Sequence, residues 1–305
     1  MKHLTTALLL GACLWSATAA ESYIIVDNQS GVILDSKNKD AKLPVASLTK
    51  VATAIVVLDW ATLKDVDLST LVEVPATARA DGSLSSVGLL PGDSLSLRDL
   101  LYCALLASDN IAAHTLAEHI GARISNPQGL DPAGNFVAQM NALARSLFMK
   151  RTLFLNPSGI DHMSKGAVPH STAADMARLV QHAYNNPGFT FYVSQKYRQI
   201  HVFRGGIDNA IEIKNTNELL GRSDIDGVKT GRTKRAGDCL ILSAARSPES
   251  RREGEQVFIT PRRINVVLLR SEDRFRDGFV MLKTGWRLYD AWAAEGRPVK
   301  KTNTL

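Results

Sequence analysis

Three short groups of reactive and polar residues occur in chain order and could together carry out acyl transfer on a serine. Ser47 and Lys50 stand three residues apart, Ser108 and Asn110 follow, and Lys229-Thr230-Gly231 comes last. A serine hydroxyl is a weak nucleophile until a nearby base takes its proton, and a lysine held neutral can be that base. The pattern therefore predicts covalent catalysis that requires neither a histidine nor a metal ion.

The first two groups are expected to supply the proton chemistry. Ser47 is the expected nucleophile and Lys50 its base, because burial and a neighbouring positive charge would both lower the pKa of the Lys50 ammonium. Ser108 is expected to pass the proton to the leaving amine. Asn110 is expected to hold Lys50 and an amide of the substrate.

The third group is expected to dock the substrate. Lys229 ends an apparent edge strand, and Gly231 leaves room for the backbone of a ligand to lie beside it. Lys229 and Thr230 are suited to binding a terminal carboxylate. The backbone amides of Ser47 and Arg232 are the expected oxyanion hole.

Two further matches to these patterns are predicted to be coincidental. The polar run 36–39 repeats the Ser-x-x-Lys spacing, and Lys283-Thr284-Gly285 repeats the third group. Ser47 opens an apolar helical pattern, which puts Ser47 and Lys50 on one face a turn apart. Ser36 lies among turn-forming polar residues, and Lys283 lies in an amphipathic helical pattern where it would be solvated.

The elements that must position these groups predict an α+β fold. Short β-rich runs occur near both ends of the chain, and helical periodicity dominates between them. The expected strands are 23–27, 32–35, 228–230, 238–245, 257–259 and 264–269, with small strands and turns over 72–74 and 88–95. The expected helices begin at Ser47, Leu97, Ala112, Phe136, Ser171 and Arg274. We therefore expect one antiparallel sheet, formed by the N- and C-terminal strands and flanked by helices, with an all-helical lobe inserted in the middle.

Composition excludes several classes of protein. The 305 residues are 45% hydrophobic and 22% charged, with a formal net charge of +6, which is typical of a folded soluble protein. The basic residues form no block interleaved with aromatics, so nucleic acid is not an expected partner. The segments 125–134 and 247–261 are predicted to be surface insertions, the second either a solvated hairpin or a contact for anionic glycan.

The first twenty residues are typical of a secretory signal peptide. Lys2 precedes an apolar run, and small residues follow it up to Ala20. A membrane anchor is disfavoured because the run is shorter than a spanning helix, and lipidation at Cys13 remains open as an alternative. We expect a periplasmic or extracytoplasmic domain over 21–296 with a short tail over 297–305, and no membrane span in the mature chain.

Two cysteines remain in that mature chain. Cys103 and Cys239 would lie in an oxidising compartment, where they could pair. Both stand in apolar runs, which favours two buried free thiols.

The three groups together form the signature shared by class A β-lactamases and penicillin-binding proteins. Over nearly all of the expected mature chain, the sequence resembles the low-molecular-mass penicillin-binding proteins, the D-alanyl-D-alanine carboxypeptidase family. Besides the three groups, the segments that carry the resemblance are 24–34, 44–50, 87–93, 136–141, 156–159, 170–175, 215–217 and 226–231.

The resemblance implies a β-lactamase/transpeptidase-like fold and an enzyme without a cofactor. Ser47 would be acylated by the D-Ala-D-Ala end of peptidoglycan stem peptides and, as an inhibitor, by penicillin and other β-lactams. The leading expectation is a serine-type D-alanyl-D-alanine carboxypeptidase of cell-wall synthesis. The alternative is an endopeptidase that cleaves peptidoglycan cross-links, which the short chain favours.

Three further observations bear on this expectation. Asp109 stands where the family often has Gly, which is a feature shared with β-lactamases, and Arg232 stands where it often has His. A class A β-lactamase needs a glutamate four residues before the asparagine equivalent to Asn156, and Thr152 occupies that position. A β-lactamase is therefore disfavoured, and so is an inactive peptidoglycan-binding protein, because all the reactive side chains are present.

Overall fold

The chain folds as an α+β structure, in agreement with the sequence analysis. The computed structural model describes residues 20–79, 82–161 and 168–305. The signal peptide expected over 1–20 falls outside this range except for Ala20. The helices are α1 Lys50–Leu63, α2 Leu97–Leu105, α3 Asn110–Gly121, α4 Pro132–Ser146, α5 Ala173–Ala183, α6 Pro187–Val193 and α7 Arg274–Ala294.

The main sheet joins the two ends of the chain. The strands of the protein are β1 Ser22–Asp27, β2 Ile33–Lys37, β3 Leu71–Glu73, β4 Ser94–Ser96, β5 Tyr197–Arg204, β6 Ile207–Lys214, β7 Ile225–Thr233, β8 Gly237–Glu253 and β9 Gln256–Ser271. Five of them form an antiparallel sheet in the order β2-β1-β9-β8-β7. N-terminal β1 pairs with C-terminal β9, and β7, which carries Lys229, is an edge strand as expected.

A second sheet lies in the middle of the chain, where the sequence predicts only small strands and turns at 72–74 and 88–95 ahead of an all-helical lobe. Its order is β3-β4-β5-β6, and β5 and β6 form a regular hairpin around Gly205-Gly206. Ile200 and Val202 are buried while their neighbours along β5 are more exposed, which is the period-two pattern of a strand. The inserted lobe is therefore mainly helical and is not all-helical.

Helix α1 forms the centre of the larger hydrophobic core. It packs against α2, α3, α4, α5 and α6, and most of its side chains are buried. Within the described part of the chain, the helical stretch 46–63 is the one long and apolar enough to cross a membrane, and 72% of it is buried inside the protein. Burial in the protein explains its apolar composition.

The opposite face of the main sheet packs against α7. Leu240, Leu268 and Trp286 belong to this smaller core, which lies between the sheet and the helix. Cys103 and Cys239 are buried and free, as the sequence analysis favoured. Burial raises the pKa of both thiols, that of Cys239 to about 11.

The segment 247–261 extends the main sheet. It is the outer part of one continuous β8–β9 hairpin, and every residue from 247 to 259 is exposed. The expected surface insertion is therefore an arm of regular two-stranded structure.

Candidate active site

Ser47 lies in a turn of 3₁₀ helix that leads directly into α1. The turn covers 46–49, and Lys50 is the first residue of α1. The Nζ atom of Lys50 lies 2.9 Å from the Oγ atom of Ser47. The expected juxtaposition of hydroxyl and amine, one helical turn apart, is present in the structure.

Two further acceptors hold the Lys50 amine. Nζ donates to Oδ1 of Asn110 at 2.7 Å and to the backbone carbonyl of Ser158 at 2.8 Å. Lys50 has no exposed surface. A neutral amine has two N–H bonds and one lone pair, so these two acceptors can take both N–H bonds and leave the lone pair facing the Ser47 hydroxyl.

The loop that supplies the Ser158 carbonyl was not given a role in the sequence analysis. The Oδ1 atom of Asn156 accepts hydrogen bonds from the amides of Ser158 and Gly159 at 3.2 and 2.6 Å, which fixes the turn. Gly159 has φ +79°, and a Cβ atom there would lie 2.0 Å from the carbonyl oxygen of Ala46. The sequence Asn-Pro-Ser-Gly, a turn-forming cluster, was the available signal.

Asn110 reaches Lys50 because it opens α3. Asp109 is the N-cap of this helix, and its side chain accepts from the amide of Ala112. Ser108, just before the cap, has a left-handed backbone with φ +59°. Asp109 is therefore a structural residue of the turn that carries Ser108 and Asn110. Its N-cap contact explains why an aspartate, a feature shared with β-lactamases, stands at this position.

Lys229 and Thr230 lie on the edge strand β7 and are both buried. Burial, together with the positive charges of Lys50 and Arg274, holds the pKa of Lys229 well below its usual range. The hydroxyl of Thr230 lies 2.7 Å from that of Thr216. An incoming carboxylate would supply the negative charge that favours the ammonium form of Lys229.

Gly231 brings β7 against the turn that carries Ser47. A Cβ atom at Gly231 would lie 3.1 Å from the backbone nitrogen of Ser47, tighter than an ordinary van der Waals contact. The edge strand and the nucleophile turn are therefore neighbours. An acyl group on Ser47 would lie next to the strand that is expected to bind the peptide.

Arg232 on β7 and Arg274 beside it differ in exposure. The side chain of Arg232 is 76% exposed and pairs with Asp238 at 3.1 Å. Arg274, which opens α7, donates to the carbonyl of Gly231 at 3.0 Å and its side chain is only 18% exposed. Arg232 could be identified from the sequence because it follows Lys229-Thr230-Gly231. Arg274 could not, because it is distant in sequence and joins the site only through packing of α7.

The coincidental matches lie away from this arrangement. Lys283 is an exposed residue of α7, as expected, with its amine over the ring of Phe279. Ser36 lies in β2 and pairs with Ile24, so it belongs to a strand where the sequence analysis expected a turn.

The two histidines of α3 are more buried than expected for surface residues. His114 is 9% exposed, and its Nε2 atom lies 3.4 Å from the hydroxyl of Ser158. His119 packs edge-on against Trp60, and burial lowers its pKa to about 4. Both rings pack against other elements of the core, because this helix lies between them.

Comparison with known proteins decides which family has this arrangement. The model of the family described as Peptidase_S11, D-alanyl-D-alanine carboxypeptidase, matches residues 12–252. The chain belongs to this family of serine peptidases. The family and the D-alanyl-D-alanine peptidase activity expected from the sequence are thereby confirmed.

Named relatives include both kinds of peptidase. The chain is 33% identical to a D-alanyl-D-alanine endopeptidase of Pseudomonas aeruginosa over 78% of this chain and 72% of the relative. It is 31% identical to the D-alanyl-D-alanine carboxypeptidase DacC of Escherichia coli over 89% of this chain and 62% of the relative. The chain thus spans well under the full length of both.

Solved structures share the fold. The crystal structure of the Streptomyces K15 DD-transpeptidase superposes with a TM-score of 0.75 at 26% identity, covering 88% of this chain and 98% of that one. The ampicillin-bound penicillin-binding protein D2 of Listeria monocytogenes superposes with a TM-score of 0.65 at 25% identity, with the same coverage. These similarities confirm the transpeptidase-like fold expected from the sequence.

Proposed function

We propose that this family member is a penicillin-sensitive D-alanyl-D-alanine carboxypeptidase that acts on peptidoglycan stem peptides through an acyl-enzyme on Ser47. The observation that carries the proposal is the environment of Lys50. Its buried amine lies 2.9 Å from the Ser47 hydroxyl, and side-chain and backbone acceptors from two other segments hold it there. This is the geometry that a general base needs to activate a serine.

The acylation step follows from that geometry. Ser47 Oγ attacks the carbonyl carbon of the penultimate D-alanine while its proton passes to Lys50 Nζ. The amides of Ser47 and Arg232 stabilise the oxyanion of the tetrahedral intermediate. The C–N bond then breaks and Ser108 relays the proton from Lys50 to the departing amine of the terminal D-alanine. An ester on Ser47 and a neutral Lys50 remain.

Deacylation completes the turnover. A water molecule gives a proton to Lys50 and attacks the ester carbonyl, and the C–O bond to Ser47 breaks. Ser47 takes back a proton, and the shortened peptide leaves with a new carboxyl group. An ester on the same Ser47 oxygen would form when Ser47 opens the ring of a β-lactam, with the freed amine still attached to the acyl group. The ampicillin-bound Listeria relative supports this expectation.

The carboxylate of the terminal residue would bind beside β7. Lys229 and Thr230 are the proposed ligands from the strand, as the sequence analysis expected. Arg274 of α7 adds a guanidinium beside the same strand, where it already donates to the Gly231 carbonyl. A charged pair with a carboxylate is stronger than a neutral hydrogen bond, so these cations would favour substrates with a free carboxyl group next to the scissile bond.

An endopeptidase is the second candidate. It would use the same acyl-enzyme chemistry and differ in what flanks the scissile bond. Relatives named endopeptidase from Pseudomonas aeruginosa and Escherichia coli are 33% and 32% identical to this chain, and these similarities support the endopeptidase as the second candidate.

A β-lactamase is not proposed. The hydroxyl of Thr152, at the position where a class A enzyme needs a glutamate, binds Ser171 and Asp175 at 2.7 and 2.9 Å. These two hydrogen bonds hold Thr152 against the start of α5, so its role is structural.

The proposed location is outside the cytoplasm. Residues 1–20 would be removed as a signal peptide, leaving the peptidase domain over 21–296 and the tail over 297–305; retention as a lipoprotein through Cys13 is the alternative. The amide of Leu305 in the tail donates to the carbonyl of Gly31 at 3.0 Å, so the tail is docked at the β1–β2 turn.

The test compares two substrates with one active-site variant. Wild type and Ser47→Ala would each be incubated with a stem pentapeptide and with a cross-linked dimer, and the products identified by mass spectrometry. Release of D-alanine from the pentapeptide supports the carboxypeptidase, and cleavage of the dimer with an untouched pentapeptide supports the endopeptidase. Either activity surviving in Ser47→Ala would refute the mechanism.

A further inference from the structure

The carboxylate of Asp109 is fully buried and accepts hydrogen bonds on both oxygens. Oδ1 accepts from the amide of Ala112 at 2.8 Å, which is the N-cap contact of α3. Oδ2 accepts three hydrogen bonds from the segment 85–87, two from serine hydroxyls at 2.6 and 3.1 Å and one from a backbone amide at 3.2 Å. One oxygen therefore holds the helix, and the other holds a separate loop.

The loop contacts exceed what capping requires. At α4, Asp131 caps the helix through a single contact from Oδ1 to the amide of Gly134, and its side chain is exposed. A helix cap uses one side-chain oxygen. The three additional bonds at Asp109, made without exposure to water, indicate a second task for this carboxylate.

The segment 85–87 is also tied to the residue on the other side of Ser108. The single O–H of Ser86 is shared between two acceptors, the carbonyl of Ala107 at 2.9 Å and Oδ2 of Asp109 at 3.1 Å. The hydroxyl of Ser85 accepts from the amide of Leu89 at 2.8 Å, which folds the loop on itself. Both chain neighbours of Ser108 are thus bonded to one ordered loop.

Ser108 needs such support because its backbone is strained. Its φ of +59° lies in the left-handed region, which costs a residue with a side chain about 1–2 kcal/mol. A strained conformation persists where the surrounding contacts enforce it. The bonds from 85–87 to Ala107 and to Asp109 enforce it from both sides.

We propose that Asp109 is a positioning residue that clamps the segment 85–87 against the Ser108 turn and so holds the Ser108 hydroxyl in place for proton transfer. The inference rests on the proton-relay role given to Ser108 under the proposed function. It assigns to the middle residue of Ser-Asp-Asn a part in the reaction beyond capping α3. A misplacement of about 1 Å in a reacting group can lower a rate about a hundredfold.

The test measures the rate of acylation by a fluorescent penicillin. Asp109→Asn keeps one oxygen for the cap and places an amide NH₂ where the loop presents three donors, so the clamp is opened. We expect acylation to slow about tenfold or more. The matched control is Asp131→Asn, the same change at a cap with no loop contact, for which we expect a rate within about twofold of wild type.

A second variant leaves the carboxylate intact. Ser85→Ala removes the 2.6 Å bond to Asp109 and the contact that folds the loop, while the cap of α3 keeps its acceptor. We expect it to slow acylation in the same direction as Asp109→Asn. Normal acylation by a folded Ser85→Ala together with a folded Asp109→Asn would overturn the clamp.

A double-variant comparison separates positioning from simple loss of stability. If Asp109 acts through Ser108, the pair Ser108→Ala and Ser108→Ala/Asp109→Asn will acylate at the same rate, because no hydroxyl remains to be positioned. The inference would be overturned if the double variant acylated more slowly than Ser108→Ala by the same factor that Asp109→Asn causes in wild type. An unchanged rate in Ser108→Ala alone would instead refute the relay itself, and with it the premise, whereas Ser47→Ala independently tests the nucleophile.

Discussion

The proposed chemistry depends on how one amine is held. Lys50 contacts Ser47, Asn110 and the Ser158 carbonyl, and these come from three separate segments. The pair Ser47 and Lys50 was predictable, because both residues lie in one helical turn. The Ser158 carbonyl was not, since a backbone acceptor more than a hundred residues away leaves no trace in the spacing of side chains.

Gly159 provides a direct test of the Ser158 carbonyl. In Gly159→Ala the new Cβ atom would lie 2.0 Å from the Ala46 carbonyl oxygen, on a left-handed backbone. We expect a loss of about 3 kcal/mol or more in the free energy of unfolding, together with slower penicillin acylation as the carbonyl moves from Lys50.

A matched glycine isolates the backbone effect in that experiment. Gly129 has φ +65°, and no atom lies within 4 Å of the position that a Cβ atom would take there. Gly129→Ala should therefore lower the free energy of unfolding by only about 1–2 kcal/mol and leave acylation unchanged. Urea unfolding and acylation rates measure both. Equal behaviour of the two variants would show that the close packing at Gly159 is unimportant.

The lowered pKa of Lys229 predicts a pH dependence of stability. In the native state this pKa lies well below 10.5, the value for an unperturbed lysine, chiefly because of burial. Between the two values the unfolded chain binds more protons than the native one, so wild-type stability gains from this group as pH rises. Lys229→Met lacks the effect, and the difference in stability should therefore shift in favour of wild type from neutral pH towards pH 10.

Urea unfolding of wild type and Lys229→Met at several pH values measures this difference. The two proteins share every other titrating group, so the difference reports on Lys229 together with its charge coupling to Lys50. If the difference in free energy of unfolding stayed constant with pH, burial would not lower the pKa of Lys229.

At the scale of elements, the α1 turn, α3 and the edge strand β7 carry the groups identified from the sequence. The start of α1 was predictable because its apolar residues recur at helical spacing. The strand around Lys229 was predictable because the β-branched residues Val228 and Thr230 flank it. The β5–β6 hairpin was missed although Ile200 and Val202 alternate with polar residues before Gly205-Gly206. Arg274 was missed because its place beside β7 follows from how α7 packs on the sheet.

The β8–β9 arm is predicted to be separable from the catalytic unit. All residues from 247 to 259 are exposed, and Arg246 and Arg262 pair across the base of the arm. Replacing 247–261 by Asn-Gly, a two-residue hairpin turn, should preserve the fold.

We expect this shortened protein to melt within about 2–4 °C of wild type. Its rate of penicillin acylation should stay within about twofold of wild type, because exposed residues away from a site rarely affect it. Differential scanning calorimetry and gel labelling measure the two quantities. A large loss of acylation would show that the arm contributes to the site.

At the scale of the whole molecule, the sheet between the chain ends explains why residues far apart in sequence meet. β1 pairs with β9, and the lobe inserted between them returns α3 to the start of α1. The sequence predicted this closure because strands at both ends must share one sheet to bury their apolar faces. It predicted small strands near β3 and β4, but not the sheet that they form with β5 and β6, because strands of three residues carry little periodic signal and the β5–β6 hairpin was missed.

The location of the covalent adduct tests the central claim most directly. The full-length protein would be labelled with penicillin, digested, and the adduct located by tandem mass spectrometry, with Ser36→Ala as the matched control for the second Ser-x-x-Lys spacing. We predict one adduct on Ser47, retained in Ser36→Ala and absent from Ser47→Ala. An adduct on another residue, or labelling that persists in Ser47→Ala, would contradict the account.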